Sequence, residues 1–139
     1  MADKVLVELV TPVEVILSRE VDMVVVPGGD GDFGILPGHA PLLSTLRPGV
    51  VNIYEGGAVT DSVFVADGFA EATEARVTIL AEDTLSMSEA TNEAAQARIA
   101  EARRQIDAAE DDGGRAAGER ALGTAEALAQ VLERRDRRP

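Results

Sequence analysis

The stretch 29–34 has the spacing Gly-x-Gly-x-x-Gly and follows the apolar run 23–26, which is where a dinucleotide-binding fingerprint would stand. In that fingerprint a helix begins within the glycine turn, because the backbone N–H groups of its first turn bind the pyrophosphate. Pro37 and Pro41 closely follow the last glycine, and proline inside a helix removes a hydrogen bond and clashes with the preceding turn. The spacing therefore does not predict a phosphate site.

Two carboxylates, Asp30 and Asp32, stand within the same stretch. They would repel a phosphate, but their spacing is like the opening of a calcium-binding EF-hand loop. Such a loop needs a glutamate at its twelfth position and flanking helices, whereas this chain has Pro41 there. Residues 28–34 are instead predicted to form an exposed, acidic, glycine-rich loop between strands.

The rest of the composition offers few residues for catalysis. The chain contains no cysteine and one histidine, so thiol chemistry, histidine clusters and thiolate zinc sites lack the residues they need. These residue types predict no catalytic residue, no cofactor-binding residue and no metal site. A net charge of −12 disfavours a nucleic-acid partner. No apolar stretch approaches the ~20 residues that span a bilayer, so we expect contact with a membrane only through a partner.

From residue 4 to about residue 83, apolar side chains alternate with polar ones and the chain is rich in valine, isoleucine and threonine. Period-two alternation predicts strands with one buried face. Gly56-Gly57 predicts a tight hairpin turn, and Pro48-Gly49 and Asp67-Gly68 predict further turns between strands. Residues 1–86 are therefore predicted to form an antiparallel sandwich or barrel without helices.

After Thr84 the sequence becomes rich in alanine, glutamate and arginine, which favours helix. Ser86-x-x-Glu89 is predicted to be a capping box, and the stretch 111–114 is predicted to break the helical run. Two apolar stripes predict an antiparallel helical hairpin over residues 87–139: Ala95, Ile99, Ala102, Ile106 and Ala109, then Ala121, Leu122, Ala125, Leu128 and Leu132. Because alanine buries little area, the hairpin is either mobile or packed permanently on the sheet.

The segment Asp30–Leu42, followed by Leu46-Arg47-Pro48-Gly49, closely resembles the hallmark segment of the epsilon subunits of bacterial rotary ATP synthases. The resemblance extends over the whole chain. It implies the architecture of that family, which is a β-sandwich of about ten short antiparallel strands followed by an α-helical antiparallel hairpin.

This resemblance also implies a function. Members of the family are non-catalytic central-stalk subunits at the cytoplasmic face of the bacterial inner membrane, where the sandwich binds the gamma subunit and the ring of c subunits. By position in the motif, Asp30, Gly31, Asp32 and Phe33 are expected to face the ring, and His39 to lie at or near the rotor contacts. Alternatively, His39 holds its turn together by hydrogen bonds.

In several members the hairpin extends toward the alpha and beta subunits of the catalytic head and blocks ATP hydrolysis. The resemblance gives this regulatory role to residues 87–139, with Arg134 and Arg135 in a basic end, 134–138, that would contact the head; a solvated terminus is the alternative.

Some members also bind ATP through a motif that aligns with residues 91–96, but here Asn92 replaces its acid and Ala95 its arginine. We therefore expect no ATP regulation at this position. The competing function is a generic sandwich adaptor with a helical arm that belongs to no rotary motor, and co-purification with gamma would separate the two.

Overall fold

The computed structural model describes residues 4–137. The chain divides between Ser88 and Glu89 into two compact units, the first built of strands and the second of helices. The first unit contains eight strands: β1 (Val5–Val10), β2 (Val15–Val21), β3 (Met23–Gly28), β4 (Gly31–Ile35), β5 (Leu42–Thr45), β6 (Gly49–Glu55), β7 (Ala58–Ala72) and β8 (Arg76–Ser86).

The strands pair in the order β2-β1-β8-β7-β6-β3-β4, and β5 pairs with β7. Alternate residues of this sheet turn inward. In β1, for example, Val5, Val7 and Leu9 are fully buried and the residues between them are not. The same alternation runs through strands from both halves of the order, so the sheet encloses one apolar core; further members of the core are Val21, Val24, Val26, Ile35, Val51, Ile53, Val65, Val77 and Ile79.

The predicted all-β unit followed by a helical hairpin is confirmed, with two differences inside the sheet. The described residues form eight strands rather than about ten, and β1 and β8 pair in parallel, whereas every other pair is antiparallel. One strand fewer results because Asp67-Gly68 does not end a strand. Residues 66 and 68 pair with residues 83 and 81 in one continuous register, so β7 runs straight through the predicted turn.

Gly68 is required there for a steric reason. A Cβ atom at this position would lie 1.8 Å from the carbonyl oxygen of Leu80 in the neighbouring strand. Asp67 beside it has a φ of 60°, a left-handed conformation that aspartate tolerates better than most residues. The pair therefore marks a close approach of two strands, which uses the same residue types as a turn.

The Gly56-Gly57 turn is confirmed. Glu55 pairs with Ala58 across it, and the two glycines have φ angles of 63° and 80°. Positive φ at both central residues is the geometry of a type I′ hairpin turn, whose twist matches that of the flanking strands.

The second unit contains α1 (Asn92–Ala108) and α2 (Asp112–Arg137). The predicted capping box is wrong, because Ser86 is the last residue of β8. Thr91 caps α1 instead: its Oγ1 accepts a hydrogen bond of 3.1 Å from the Ala94 N–H. A β-strand conformation at residue 86 leaves that hydroxyl no free helix N–H groups to satisfy.

The predicted break lies earlier than expected, since only residues 109–111 separate the helices. Asp111 Oδ1 accepts a hydrogen bond of 2.7 Å from the Gly114 N–H, which places Gly113 and Gly114 inside the first turn of α2. The buried positions largely follow the predicted stripes: Ala95, Ile99 and Ala102 in α1, and Ala125, Leu128 and Leu132 in α2. Ala121 is exposed, however, and Gly118 and Thr124 are buried instead.

Candidate partner-binding surface

The acidic glycine-rich stretch forms a tight hairpin tip rather than an open loop. Gly28 at the end of β3 pairs with Gly31 at the start of β4, and only Gly29 and Asp30 lie between them. Asp32 therefore belongs to β4, which corrects the predicted loop over 28–34. Asp30 and its neighbours 29, 31 and 32 are exposed, so this tip, residues 28–32, projects polar groups to solvent.

A segment distant in sequence braces the tip. Arg47 Nη1 donates to the Gly28 carbonyl at 2.8 Å and Nη2 donates to Asp32 Oδ1 at 2.5 Å. The backbone adds two bonds of 3.0 Å, from Gly29 N–H to the Thr45 carbonyl and from Arg47 N–H to that of residue 27. One arginine thus links both strands of the hairpin at its tip.

Phe33 follows the tip but points the other way. Its side chain is half-buried and packs against the apolar core, and a Cβ atom added to Gly28 would lie 2.7 Å from Phe33 Cε1. The glycine therefore makes room for the ring. Phe33 anchors the tip to the core, while Asp30 makes no hydrogen bond or ion pair with any residue between 4 and 137.

His39 lies in a separate turn. The Nδ1 atom of its ring is 2.6 Å from the Ala40 carbonyl oxygen, and its backbone N–H donates to the Leu36 carbonyl at 3.1 Å. The neighbouring Gly38, with φ of 84°, donates to the carbonyl of Glu74 in the β7–β8 turn. These bonds fit the alternative in which His39 holds its turn together; a contact with a partner stays a prediction.

A row of apolar side chains on the outer face of the sheet was not predicted from the sequence. Consecutive strands place Phe69 beside Leu80 and Leu80 beside Val10. A register shift between Leu9 and Val10 then sets Val10 beside Val15 of β2. Phe69 is 45% exposed and Val15 is 64% exposed. This outer apolar row is unusual because the opposite face of each strand already forms the core, and the outer face of a sandwich is normally polar.

The row continues toward the tip. Thr45, whose carbonyl accepts from Gly29, is the register partner of Phe69, and Leu43 in the same short strand is 68% exposed. The sequence did contain a signal for this row, since β7 and β8 carry apolar residues at positions that point to both faces of the sheet. Without the strand register, those residues could not be assigned to one surface.

Ionic contacts elsewhere in this unit fasten strands together. Lys4 Nζ donates to Asp22 Oδ1 at 2.5 Å and Gly56 N–H donates to Asp22 Oδ2 at 2.6 Å, and these bonds lower the pKa of Asp22. Arg19 contacts Asp61 and Glu55, and the bond to Asp61 is the main reason that its pKa is raised. The arginine therefore links β2 to the β6–β7 hairpin.

The end of α2 is partly tied to the start of α1. Arg135 Nε lies 3.1 Å from Asp136 Oδ1, and its Nη1 donates to the Ala90 carbonyl at 3.4 Å. Asn92 Nδ2 donates to Asp136 Oδ2 at 2.8 Å and, with Arg135, lowers the pKa of that carboxylate. Arg134 is exposed, and residue 138 of the predicted basic end lies outside the described residues.

Beside these contacts is a cleft of about 420 Å³. Its lining mixes amide, acidic and basic groups: Asn92, Gln96, Ala129, Glu133, Asp136 and Arg137. Ala95, at the position of the arginine in the ATP-binding motif, is fully buried. It therefore presents no side chain to this cleft that could pair with a phosphate.

Residues 4–137 contain no group of three histidine, cysteine or carboxylate side chains arranged to hold a metal ion. Within the same part of the chain, neither helix is long and apolar enough to cross a membrane. Three exposed features of residues 4–137 are the braced tip, the outer apolar row and the end of α2.

Comparison with known proteins identifies the kind of molecule that carries these surfaces. A model of the beta-sandwich domain of the ATP synthase delta/epsilon chain matches residues 4–86, which is most of the strand unit. The chain belongs to the ATP synthase delta/epsilon family.

Individual relatives support this membership over nearly the full length. The ATP synthase epsilon chain of Paramagnetospirillum magneticum is 50% identical over 95% of this chain and 99% of its own length. That of Rhodospirillum rubrum is 47% identical over 92% of this chain and 96% of its own length. The delta/epsilon family therefore accounts for the helical unit as well as for the sandwich.

Two solved structures are similar in fold. A chain from the mitochondrial ATP synthase of Euglena gracilis, in a complex described as OSCP/F1/c-ring, aligns with a TM-score of 0.77 and 27% identity, covering 95% of this chain and 83% of that one. A chain from the Tetrahymena thermophila enzyme aligns with a TM-score of 0.60 over 92% of this chain, but at 14% identity this likeness shows the fold alone.

Within this delta/epsilon chain, the predicted ring-facing residues are brought together in one element, the β3–β4 hairpin. His39 belongs to a different turn, and the arginines of α2 belong to the second unit. The brace by Arg47 and the outer apolar row were not predicted. As a member of this family, the chain is a subunit of an enzyme complex that is associated with a membrane.

Proposed function

We propose that this chain is a non-catalytic epsilon subunit in the central stalk of a rotary ATP synthase, where it couples rotation of the c-ring to the gamma subunit. The observation that carries this proposal is the 50% identity to an ATP synthase epsilon chain along almost the whole of both chains. The fold likeness to a chain in an F1/c-ring complex supports a place beside the ring. The site of action would be the cytoplasmic face of the bacterial inner membrane, with the chain attached through its partners.

The β3–β4 tip is proposed to meet the polar loops of the c subunits. Asp30 and Asp32 lie at an exposed point of the sandwich, and a tip built of glycines allows close approach of another backbone. Polar and charged contacts of this kind give register and specificity more than affinity. The tip would therefore set the position of the subunit on the ring.

The outer apolar row is proposed to bind gamma. Phe69, Leu80, Val10 and Val15 form a continuous apolar strip across four strands, and aromatic and aliphatic side chains are the usual anchors at the centre of a stable interface. A rotor subunit must stay bound to its partner under torque, and burial of an apolar strip against gamma would stabilise that contact. His39 is proposed to lie at the margin of this contact.

The coupling role can be tested with membrane vesicles that carry an ATP synthase stripped of its epsilon chain. The ratio of protons pumped to ATP hydrolysed is measured before and after adding the full chain. We expect the addition to raise that ratio and the chain to co-purify with gamma. An unchanged ratio with the chain bound would contradict coupling, and failure to bind gamma would favour the generic adaptor.

The helical unit is proposed to restrain ATP hydrolysis by contacting the alpha and beta subunits, with Arg134 and Arg135 facing acidic groups on the head. A variant that ends at Ser88 lacks this unit. Added to the same vesicles, it should restore coupling while hydrolysis runs faster than with the full chain. Equal hydrolysis rates would remove the inhibitory role and leave the coupling role intact.

This restraint is proposed to be independent of ATP bound at residues 91–96. Asn92 is already engaged with Asp136, and Ala95 offers no charge. Calorimetric titration of the full chain with ATP should give no binding heat at micromolar concentrations. A micromolar dissociation constant would contradict this part of the proposal.

A further inference from the structure

Arg47 makes three hydrogen bonds that converge on one point of the sandwich. Its Nη1 bonds to the Gly28 carbonyl, its Nη2 to Asp32, and its backbone N–H to the carbonyl of residue 27. We propose that Arg47 is a positioning residue for the contact between the β3–β4 tip and the polar loop of a ring subunit. It preforms the tip before assembly, and this inference rests on the proposed function.

The bonds of Arg47 are poorly suited to a purely stabilising role. The side chain of Arg47 is 42% exposed and that of Asp32 is 60% exposed, and ion pairs this open to water contribute little to folding stability. Phe33 and the strand ladder already hold the base of the hairpin in place. What the arginine adds is control over the tip itself.

The tip needs such control because three of its five residues, 28, 29 and 31, are glycines. Glycine loses more conformational freedom on ordering than any other residue. Gly31 has a φ of 137° with no atom within 4 Å of an added Cβ, so no side-chain packing fixes it. A tip ordered in advance by Arg47 spares that entropy when the partner binds.

A pure charge effect and a positioning effect predict different changes in affinity for the ring. The two are distinguished by whether loss of Arg47 and loss of the Asp32 charge change that affinity in opposite directions or in the same direction. Loss of Arg47 makes the tip more negative, whereas loss of the Asp32 charge makes it less negative. If charge alone governs binding to the ring, the two changes alter affinity in opposite directions. If the pair positions the tip, both changes weaken binding.

The experiment measures the affinity of the full chain for an ATP synthase complex stripped of its epsilon chain. Arg47→Met and Asp32→Asn should each weaken binding about tenfold. The double variant should lose less affinity than the sum of the two single losses, because both single changes remove the same Arg47–Asp32 pair. Arg76→Met is the matched control, since it removes an exposed arginine whose Nε lies 3.4 Å from Glu8 on the same unit, and it should bind as the unmodified chain does.

A second measurement on the chain alone separates this inference from the proposed function. Hydrogen exchange at the amides of residues 28–32 should be severalfold faster in Arg47→Met and in Asp32→Asn, with the circular dichroism spectrum unchanged. Effects of opposite sign on affinity, or exchange unaltered in both variants, would overturn the positioning role. If the unmodified chain fails to bind the complex, the proposed function fails, and the exchange rates still decide whether Arg47 orders the tip.

Discussion

Gly118 and Gly123 of α2 have different surroundings. We therefore expect glycine-to-alanine substitution to have opposite effects on stability at the two positions. A Cβ atom on Gly118 would lie 2.8 Å from Ile106 Cγ1 and 3.2 Å from the Ile106 backbone nitrogen of α1, whereas one on Gly123 would meet no atom within 4 Å. Replacing glycine by alanine in a helix interior contributes roughly 0.5–1 kcal/mol to stability. Gly123→Ala should keep that full gain.

At Gly118 the gain is opposed by steric overlap. The isoleucine side chain can rotate, but the backbone nitrogen cannot, so the two helices must move apart. Overpacking of this kind typically costs 1–3 kcal/mol, and the net effect of Gly118→Ala is a loss of up to about 2 kcal/mol after the propensity gain is subtracted.

The assay is thermal unfolding of the full chain followed by circular dichroism at 222 nm, where helices dominate the signal. A gain near 1 kcal/mol raises the midpoint of a small unit by about 4–8 °C, so Gly123→Ala should unfold at a higher temperature and Gly118→Ala at a lower one. The reasoning is refuted if Gly118→Ala stabilises the helices as much as Gly123→Ala does. That result would mean that α1 and α2 do not approach closely at this point.

Three further changes test separate parts of the fold. Gly68→Ala should cost about 3 kcal/mol or more in urea unfolding, because its Cβ would overlap the Leu80 carbonyl oxygen at 1.8 Å; near-native stability would exclude that close approach. Thr91→Ala should cost about 1 kcal/mol through loss of the α1 cap while Thr91→Ser keeps it, and equal helix stability in the two variants would contradict the cap. Folding lowers the pKa of Asp22, so its bonds stabilise the fold at pH values above the unfolded-state pKa of ~3.9, and this stabilisation is lost as pH falls through the folded-state pKa. When the free energy of unfolding is measured from pH 7 to pH 2, Asp22→Asn should lose less stability in acid than the unmodified chain does. An identical loss would argue against the contact with Lys4.

Local patterns in the sequence were sufficient to predict the fold class and most of the buried positions. Alternation in β1 and the spacing of Ala95, Ile99 and Ala102 each depend only on which face of one element is buried. The Gly56-Gly57 turn was also predictable, because both positive φ angles fall on residues that accept them. The fold class follows from signals that lie within a few residues of one another.

Asp67-Gly68 shows where local patterns fail. Aspartate followed by glycine favours a turn because both tolerate a positive φ, but the same tolerance serves a strand pair that must approach within contact distance of a carbonyl group. The choice between the two depends on β8, whose residues 81 and 83 pair with residues 68 and 66. A segment thirteen or more residues away therefore decides the conformation of this dipeptide.

The partner-binding surface was less predictable because each of its features joins segments that are distant in sequence. Asp32 could be recognised as an acidic group on a hairpin, but its partner Arg47 is fifteen residues away, and the carboxylates of this unit far outnumber its basic residues. Many pairings are compatible with that composition. The isolated bridge between Gly28 and Leu46 selects one of them, because it sets residue 47 beside the tip.

The same register explains how the polar tip and the outer apolar row come to be neighbours. Leu46 bridges to Gly28 on one side and donates its N–H to the Gly68 carbonyl on the other, and Phe69 of the row comes directly after that glycine. A partner bound to the outer apolar row and a partner bound to the tip would therefore contact opposite sides of one short segment, residues 45–47. Force applied at the row would therefore reach the tip through hydrogen-bonded backbone rather than through flexible side chains. A subunit that couples a ring to a stalk needs a backbone connection of this kind, and here it arises from the position of β5 and the bridge that follows it.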